Sequence, residues 1–447
     1  MSEPPPFGTE LRRRRVAAGL SLGALAKRVH YSKGHLSKVE SGQKPASTEL
    51  ARLCDAELGA DGKLIDLLPA ARSGSDGAAP SDVSDPHDDE TWVVGVGNRG
   101  GYFAPVNGGD PRAGTTTTAL SMTFNSRVRA AAETALGLFL VRFHEARRLG
   151  QVAGAGAVLP LVIMETKALQ TLADHAPPEE QVALFQLAAR YAEFAGWIAQ
   201  EAGDDRMAWW LTEKAVRMAS AAGDPSLRTY ALVRRADIAL HQDDALSTIE
   251  MASRAQQHSG ISARVGGLAA QREAQGHALA GNQNACLHAL ERSAVLLAEA
   301  AAGPQDGPVL GTAHTPDLAA LIRGWCLHEL GRPAQAAEIL DRGIVRFPPG
   351  AHRARVRYEA RAALAYATAG ELERACELLG ALLDIAAILD SATIRHDLRS
   401  LNRVLVRWRS HPTVRDLLPA LVAVLQIHPR LAAATPAANL LLTPSAE

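Results

Sequence analysis

Apolar residues recur every three or four positions through residues 7–69, in short stretches separated by glycine and by capping residues. This spacing places apolar side chains on one face of a helix. Ser21 and Ser32 each precede such a stretch and predict helix starts, because a serine hydroxyl can accept a hydrogen bond from a free amide of the first turn. The predicted helices are Thr9 (cap) to Ala18, Ser21 to His30, Ser32 to Glu40, Glu49 to Leu58, and Lys63 to Leu68.

A tight turn at His30 and Tyr31 joins the second and third of these helices. Such a pair, among five short helices, matches the helix-turn-helix geometry. The supporting motif is L11-R12-x-x-R15-x-x-x-G19-L20-S21, then L25-A26, then S32-x-x-x-L36-S37-x-x-E40-x-G42-x-x-x-P45. Residues 7–69 therefore resemble the repressor-type (XRE) helix-turn-helix family, which implies a DNA-binding domain with an Arg15–Glu40 pair that is structural first. The family usually has an apolar residue where this sequence has Arg14. This departure predicts a slightly rotated first helix or an additional phosphate contact.

The third helix has a polar face opposite the predicted core positions Leu36 and Val39. Lysine can donate to guanine, serine can pair with several base edges, and glycine permits close approach, so this face suits a major groove. Residues beside it are predicted phosphate contacts, and His35 is assigned to either role or to neither. The alternative interpretation is that this polar face is a charged helix surface that contacts only solvent. The candidate DNA-binding residues are Arg15, Lys27, Arg28, Ser32, Lys33, Gly34, His35, Ser37, Lys38, Ser41 and Lys44.

Charge is distributed unevenly, although the formal net charge of the 447 residues is only -1. Residues 10–45 contain nine Lys or Arg against Glu10 and Glu40, and such local patches govern binding to phosphates. Residues 71–91 are acidic and rich in Gly, Ser and Pro, which predicts a flexible linker.

The composition is 47% hydrophobic with only 4% aromatic residues and much alanine, which favours an all-α fold. The length requires two or more folding units or a repeat array. No stretch of eighteen apolar residues occurs, and prolines at positions 4–6 interrupt any signal peptide, so we expect a cytoplasmic protein without membrane contact. The four cysteines, far apart in sequence, are expected to be buried apolar residues.

A glycine-rich segment at residues 92–125 contains G95-x-G97-x-x-G100 after an apolar run. A dinucleotide-binding turn needs a helix directly after the third glycine, whereas Gly101, Tyr102 and Phe103 follow here. We therefore predict a β-hairpin or a docked strap. Because an enzyme hypothesis would rest on this segment alone, we expect no enzyme, no cofactor and no metal site.

Turn signals repeat through the remaining chain. Gly203, Gln242 and Gly281 are 39 residues apart, as are Gly331 and Gly370, and a Gly/Pro-rich insertion at residues 303–316 explains the one irregular gap. Small residues at fixed distances from these turns would let paired helices cross closely: Gly196, Ala208, Ala215, Gly324, Ala336 and Gly343. With Pro348, this pattern resembles a degenerate tetratricopeptide (TPR) array, although its period exceeds the family's. Stacked units of this kind form a concave surface.

The predicted domains are residues 1–70 (helix-turn-helix), 71–91 (linker), 92–125 (hairpin or strap), 126–430 (repeat array) and 431–447 (tail). By resemblance, a repressor-type reader joined to a TPR-like array implies a ligand-sensing regulator, such as the peptide-sensing quorum regulators of bacteria. We expect a homodimer on two-fold-related double-stranded DNA, because one such domain contacts a short half-site. The effector would be a peptide, a small molecule or a protein; in the alternative, the array is a scaffold for a protein partner and no small effector exists.

The TPR register predicts which side chains face the concave side and could bind that effector, although for each of them a role in packing is the competing interpretation. The candidates are Arg190, Glu193, Trp197, Gln200, Gln271, Gln275, Trp325, His328 and Arg357.

Overall fold

The computed structural model describes residues 5–68, 92–97, 100–105, 131–303, 309–312, 315 and 317–426. The predicted linker and C-terminal tail lie outside these residues, as does most of the predicted strap. The described N-terminal elements are α1 (Phe7–Ala17), α2 (Leu22–Arg28), α3 (Lys33–Glu40), α4 (Thr48–Glu57) and a 3-10 turn (Ile65–Leu67).

Serine side chains begin three of the four N-terminal helices. Ser21 Oγ and Ser32 Oγ each accept a hydrogen bond from the amide three residues later, at 3.1 and 3.2 Å, which confirms both predicted caps. Ser47 caps α4 in the same way, at 3.2 Å. Five leucines, none of them exposed to solvent, form a core within this unit: Leu11, Leu25, Leu36, Leu50 and Leu64. The N-terminal helices thus have a hydrophobic core separate from that of the later helices.

The start of the first helix differs from the prediction. Thr9 lies inside α1 and does not cap it, because the helix begins at Phe7 and the Thr9 amide already donates to the carbonyl of Pro6, at 3.0 Å. Proline has no amide hydrogen to satisfy and a φ compatible with this position, so the chain can enter the helix directly after it.

The fifth predicted helix is also wrong, since only the single 3-10 turn forms there. The physical reason is Asp55, whose carboxylate accepts hydrogen bonds from the amides of Gly62 at 2.8 Å and Leu64 at 2.9 Å. These bonds hold the chain in a loop where the apolar spacing alone predicted the helix.

Two strands pair antiparallel between the small domain and the later helices: β1 (Trp92–Gly97) and β2 (Gly100–Pro105). Trp92 lies opposite Pro105, and Gly97 lies opposite Gly100. A strand, and not a helix, therefore follows the third glycine of the G-x-G-x-x-G sequence, so the geometry of a dinucleotide-binding turn is not formed there.

From α5 to α16 each helix packs on the next in chain order, whereas α17 packs on α15 and α18. Five pairs form helical hairpins: α7/α8, α9/α10, α11/α12, α13/α14 and α15/α16. This arrangement is consistent with a helical repeat. No helix in the described part of the chain is long and apolar enough to cross a membrane. The bounds are α5 Ala131–Val152, α6 Ala155–His175, α7 Pro178–Ala202, α8 Asp205–Ala221, α9 Pro225–His241, α10 Ala245–Gln256, α11 Ala263–Leu279, α12 Gln283–Ala302, α13 Leu318–Glu329, α14 Pro333–Ile344, α15 His352–Thr368, α16 Leu372–Leu389, α17 Ala392–Leu405 and α18 Pro412–Leu425, with a 3-10 turn at Val406–Trp408 between α17 and α18.

The turns predicted from the 39-residue period lie inside these hairpins. Gly203, Gly281, Gly331 and Gly370 adopt φ values of 85°, 75°, 75° and 83°, in the left-handed region that glycine enters without strain. In the α9/α10 hairpin Asp243 has this role, with φ of 58°. The repeat unit is therefore one helical hairpin, and the insertion falls between α12 and α13, as predicted.

Small residues allow close crossings, as their positions in the sequence predict. A Cβ on Gly324 would lie 2.8 Å from Leu340 Cγ, and one on Gly343 would lie 2.6 Å from Leu321 Cδ2. Any larger side chain at either position would separate α13 from α14.

The four cysteines are buried and unbridged, in agreement with the sequence-based expectation. Two that are far apart in the sequence, Cys286 on α12 and Cys326 on α13, come together in one apolar cluster. Burial and the neighbouring Cys286 thiol raise the pKa of Cys326 well above its ordinary value, so the thiol form dominates there.

Candidate functional site

The outer side of α3 is polar and open to solvent. Leu36 and Val39 are buried, and the residues predicted on the opposite side are exposed. We call these residues the reading face: Lys33, Gly34, Ser37, Lys38 and Ser41. Within the described residues, neither Lys33 nor Lys38 forms an ion pair, so both ammonium groups are available to an external acceptor.

Arg15 and Glu40 join α1 to α3, as the family resemblance implies. Arg15 Nε and NH2 donate to the two carboxylate oxygens at 2.6 and 2.9 Å, and NH1 donates to the Leu20 carbonyl at 2.8 Å. Both side chains are nearly buried, at 11% and 8% exposure. Because all three groups of the guanidinium are engaged, Arg15 fixes the position of α3 relative to α1.

Two further arginines of the basic patch are engaged in intramolecular pairs. Arg14 donates to Glu10 at 2.7 Å within α1, which accounts for a charged residue where the family has an apolar one. Arg28 donates to Glu57 on α4 at 2.5 Å. In contrast, Lys27 and Lys44 make no ion pair in the described part of the chain and remain free beside the reading face.

The His35 side chain is only partly exposed and packs against Tyr31. Its ring lies edge-on to Tyr31 at 5.1 Å between centroids, and the Arg407 guanidinium lies over the Tyr31 ring at 4.6 Å. Burial lowers the pKa of His35, and the positive charges of Lys44 and Arg407 lower it further. His35 is therefore neutral at pH 7 and contributes to packing at the start of α3.

The small domain contacts the array along the turns of three hairpins. The Gly331 turn lies against the Arg52 backbone, the Gly281 turn against Ile65, and the Gly370 turn against His30. Arg52 also pairs with Glu329 at the end of α13. We call this set of contacts the docking interface.

A further ion pair extends the docking interface, since Arg407 donates to Glu49 at 2.8 Å. These contacts involve α4, the turn that follows α2, and the 3-10 turn, whereas the reading face stays exposed. The docked arrangement therefore leaves the reading face accessible to DNA.

Residues 6–68 match the protein-family model described as a helix-turn-helix domain. No curated protein matches the chain. The matched segment comprises α1 to α4 and the 3-10 turn, with the buried leucines and the reading face described above. This helix-turn-helix domain indicates a role in DNA binding and transcriptional regulation.

A cavity of about 130 Å³, partly open to solvent, lies in the array between α5, α7, α9, α11, α13 and α15. Four of the predicted ligand-binding residues line it: Glu193, Trp197, Gln271 and Arg357. The other five do not. Four of them make partner contacts beside it: Arg190 with Asp224, Gln200 with Arg234, Gln275 with Arg272, and Trp325 beneath Arg361.

The fifth, His328, is on α13 outside the lining, and burial lowers its pKa to about 4, with Arg52 of the small domain acting in the same direction.

Sequence reasoning missed the arginines that dominate the cavity: Arg147, Arg234, Arg272, Arg353 and Arg361. A usable signal was present in α15, where Arg353, Arg357 and Arg361 recur every four residues on an otherwise alanine-rich helix. Residues at this spacing share a face. The sequence alone does not distinguish such a stripe from a solvated surface.

One of these arginines, Arg353, makes its ion pair and hydrogen bonds within the array itself. Arg353 pairs with Glu201 at 2.8 Å and donates to the carbonyls of Gly150 and Ala153 at 2.7 and 2.6 Å. Ser391 Oγ donates to the same Glu201 carboxylate at 2.5 Å. These bonds connect α5, α7, α15 and the start of α17, so Arg353 and Glu201 join early helices of the array to later ones.

Two carboxylates at the cavity are each shared by two arginines. Asp237 lies 2.8 Å from Arg234 and 3.1 Å from Arg272. Asp397 lies 3.0 Å from Arg361 and 3.7 Å from Arg357. Burial alone would raise the pKa of each carboxyl, but the arginines outweigh it and lower both pKa values.

His241 completes this cluster as a neutral group. Its Nδ1 lies 2.7 Å from the Asp237 carbonyl and its Nε2 lies 2.5 Å from Arg357 NH2. Burial lowers the pKa of His241 to about 4. The imidazole therefore donates through Nδ1 to the carbonyl, accepts at Nε2, and adds no positive charge at neutral pH.

Proposed function

We propose that this protein is a sequence-specific, DNA-binding transcriptional regulator that reads a major groove with α3. The observation that carries this proposal is the reading face. Lys33 and Lys38 are exposed there and form no ion pair with the described part of the chain, while Arg15 and Glu40 fix α3 to α1. Lysine ammonium groups donate to guanine O6 and N7, and the neighbouring serines suit several base edges. Lys27 and Lys44 flank this face and are proposed phosphate contacts.

The proposal includes a homodimer on two-fold-related DNA, formed through the TPR-like array. Apolar side chains on the first two array helices support a pairing surface there: Leu138 and Val141 on α5 and Leu161 and Met164 on α6 are 62, 61, 48 and 51% exposed. Exposed apolar side chains that form one patch are typical of protein interfaces. The occupant that we propose is a second copy of the chain, because one helix-turn-helix contacts only a half-site.

The alternative to this dimer is a DNA-bound scaffold whose apolar surface binds another protein. Sedimentation of the Val141→Asp variant separates the two. A shift from dimer to monomer supports self-association, whereas a wild-type chain that is already monomeric at micromolar concentration favours the scaffold.

The proposal also assigns effector sensing to the array. The cavity and the docking interface share α13, since Ile322 lines the cavity and Glu329 pairs with Arg52 of the small domain. A ligand that moved α13 would therefore act on a contact of the DNA-binding domain. This geometry supports coupling between the two sites.

The experiment that tests the proposal compares the full chain with a fragment of residues 1–70 on DNA selected from a random pool by the full chain. We expect a two-fold-symmetric consensus, and an affinity about 100-fold or more higher for the full chain, because the dimer makes the second contact intramolecular. Equal affinities would contradict the dimerisation role, and the absence of any consensus would contradict sequence-specific reading.

A further inference from the structure

We propose that the cavity binds a small organic anion, in which a carboxylate or phosphate contacts Arg272, Arg357 and Gln271 and a flat apolar body contacts the aromatic wall. This inference rests on the proposed sensing role of the array and narrows its ligand from a peptide, small molecule or protein to one chemical class. It is supported by the balance of charge, by the hydrogen bonds left unmade, and by the shape of the cavity.

The charge balance at the cavity favours an anion. Its lining contains six arginines and three acidic residues. Asp397, just behind the lining, adds one more negative charge, but it is shared by Arg357 and Arg361, just as Asp237 is shared by Arg234 and Arg272. Positive charge therefore remains in excess in a buried site, where uncompensated charge is costly. A bound anion would remove this excess.

The unsatisfied polar atoms at the cavity are mostly donors. Four buried donors have no hydrogen-bond partner among the described residues: Arg234 Nε, Arg272 Nε, Arg357 Nε and Gln271 Nε2. Two of them lie near a carboxylate at longer distances, Arg234 Nε 3.6 Å from Glu193 and Arg357 Nε 3.7 Å from Asp397. The one lining acceptor in the same condition, Asp237 Oδ1, lies 3.1 Å from Arg272 and is balanced by its charge. Gln271 is only 1% exposed, so its amide cannot be satisfied by bulk solvent. These four donors make no hydrogen bond with the described residues, which favours a ligand rich in acceptor oxygens.

Part of the cavity lining is aromatic and apolar. Phe194 and Trp197 stack with their ring centroids 5.6 Å apart and an interplanar angle of 20°. Tyr230, Leu318 and Ile322 extend this surface. An anion with a planar apolar body would bury that body here while its acidic group meets the arginines. Such a division between apolar wall and a few fixed polar groups is typical of small-molecule sites.

The insertion after α12 restricts the size of the ligand. Arg147 donates to the carbonyls of Val309 and Gly311 at 2.9 and 2.6 Å, and Arg264 donates to that of Leu310 at 2.7 Å. Gly311 also lines the cavity, so this segment is one of its walls. The remaining volume of about 130 Å³ is several times what one water needs, and it suits a small molecule and not an extended peptide.

Thermal unfolding and titration calorimetry of the full chain test the proposal with matched probes. The probes are phenylacetate and phenyl phosphate as two kinds of anion, phenylacetamide as the neutral analogue, and inorganic phosphate as an anion without an apolar body. At one hundred times its Kd, a bound probe should raise Tm by about 3–5 °C. We expect this increase in Tm with at least one of the two aryl anions, and little or none with phenylacetamide or inorganic phosphate. Comparing phenylacetate with phenyl phosphate shows whether the site prefers a carboxylate or a phosphate.

Three variants locate the binding. Arg357→Gln and Gln271→Leu should each weaken the aryl anion about tenfold or more, because each removes a donor to it. Gln271→Leu should leave the ligand-free Tm unchanged or raised, since it replaces an unpaired buried donor with an apolar group of similar volume. Arg342→Gln, on the outer helix α14 with a side chain 72% exposed, is the matched control and should bind like the wild type.

The proposal would be overturned by binding of phenylacetamide as tight as that of phenylacetate, or by anion binding unchanged in Gln271→Leu. No shift with either aryl anion would also overturn it. DNA affinity, measured on the same samples, separates this failure from that of the proposed function. A full chain that reads its DNA but binds no anion refutes only the ligand class, whereas anion binding without any effect on DNA affinity supports the ligand class and refutes sensing.

Discussion

Replacing Glu40 with alanine tests the architecture of the DNA-binding domain. The change removes both carboxylate oxygens that accept from Arg15, at 2.6 and 2.9 Å, and leaves the guanidinium with one acceptor, the Leu20 carbonyl. Because the Arg15 side chain is only 11% exposed, water can replace the lost partner only in part. The folded domain therefore retains a nearly buried, poorly paired positive charge.

The expected loss for Glu40→Ala is about 1–3 kcal/mol in free energy of unfolding, typical of a partly buried charged hydrogen bond. It stays below the cost of breaking a fully buried pair, because the pair retains some contact with solvent. In a domain of this size that loss corresponds to a decrease in Tm of about 5–20 °C.

Circular dichroism melting of the 1–70 fragment measures this change. Glu57→Ala is the matched control, because it breaks a pair whose arginine, Arg28, is 55% exposed, and such surface pairs contribute about 0–1 kcal/mol. We expect the Glu40 variant to melt well below the Glu57 variant. Equal midpoints for the two variants would refute the structural role assigned to the Arg15 pair.

Two further predictions concern the array. Gly331→Ala should weaken docking of the small domain and raise the rate of amide hydrogen exchange in α4, because the new Cβ would overlap the Arg52 backbone. Gly223→Ala is the control: its φ of 64° carries similar strain, but its Cβ would contact no described atom, so exchange in α4 should not change. Unchanged exchange in α4 would contradict the docking interface. The pKa of His241 is about 4 in the folded protein, below its value in the unfolded chain. The neutral imidazole therefore contributes fully to the free energy of unfolding above about pH 6.5, and this contribution is lost as the pH falls toward 4. The free energy of unfolding, measured with urea across this pH range, should decline less steeply in His241→Gln than in the wild type. Parallel pH profiles for the two proteins would contradict this assignment to His241.

Local features of the fold could be predicted from the sequence because they depend on neighbouring residues. The caps at Ser21 and Ser32 need only a hydroxyl and the next turn of helix. The repeat turns need only a glycine at a regular interval, and Gly324 indicates a close crossing because its own small size permits it. The start of α1 escaped prediction, since Thr9 and Pro6 are both plausible first residues.

The cavity could be predicted only in part, because its chemistry depends on distant residues. The four-residue spacing of Arg353, Arg357 and Arg361 is visible in the sequence, but their acceptors come from other helices. Asp397 pairs with Arg357 and Arg361, and Glu201 pairs with Arg353. The docking interface is equally non-local: nothing near Gly331 indicates that its turn would contact the DNA-binding domain.

The reading face of α3 is proposed to contact base edges, and DNA-binding affinities of two lysine variants distinguish this role from phosphate contact. Affinities of Lys38→Ala and Lys44→Ala are measured on the selected DNA and on a scrambled sequence across a salt series. We predict that Lys38→Ala lowers specific affinity by about 1–3 kcal/mol, relaxes the preference at one base pair in each half-site, and changes nonspecific binding much less. Lys44→Ala should weaken both DNAs alike and reduce the salt slope by about one per subunit. If Lys38→Ala instead weakens both DNAs equally and leaves the base preference intact, Lys38 contacts phosphate and the assigned reading face is wrong.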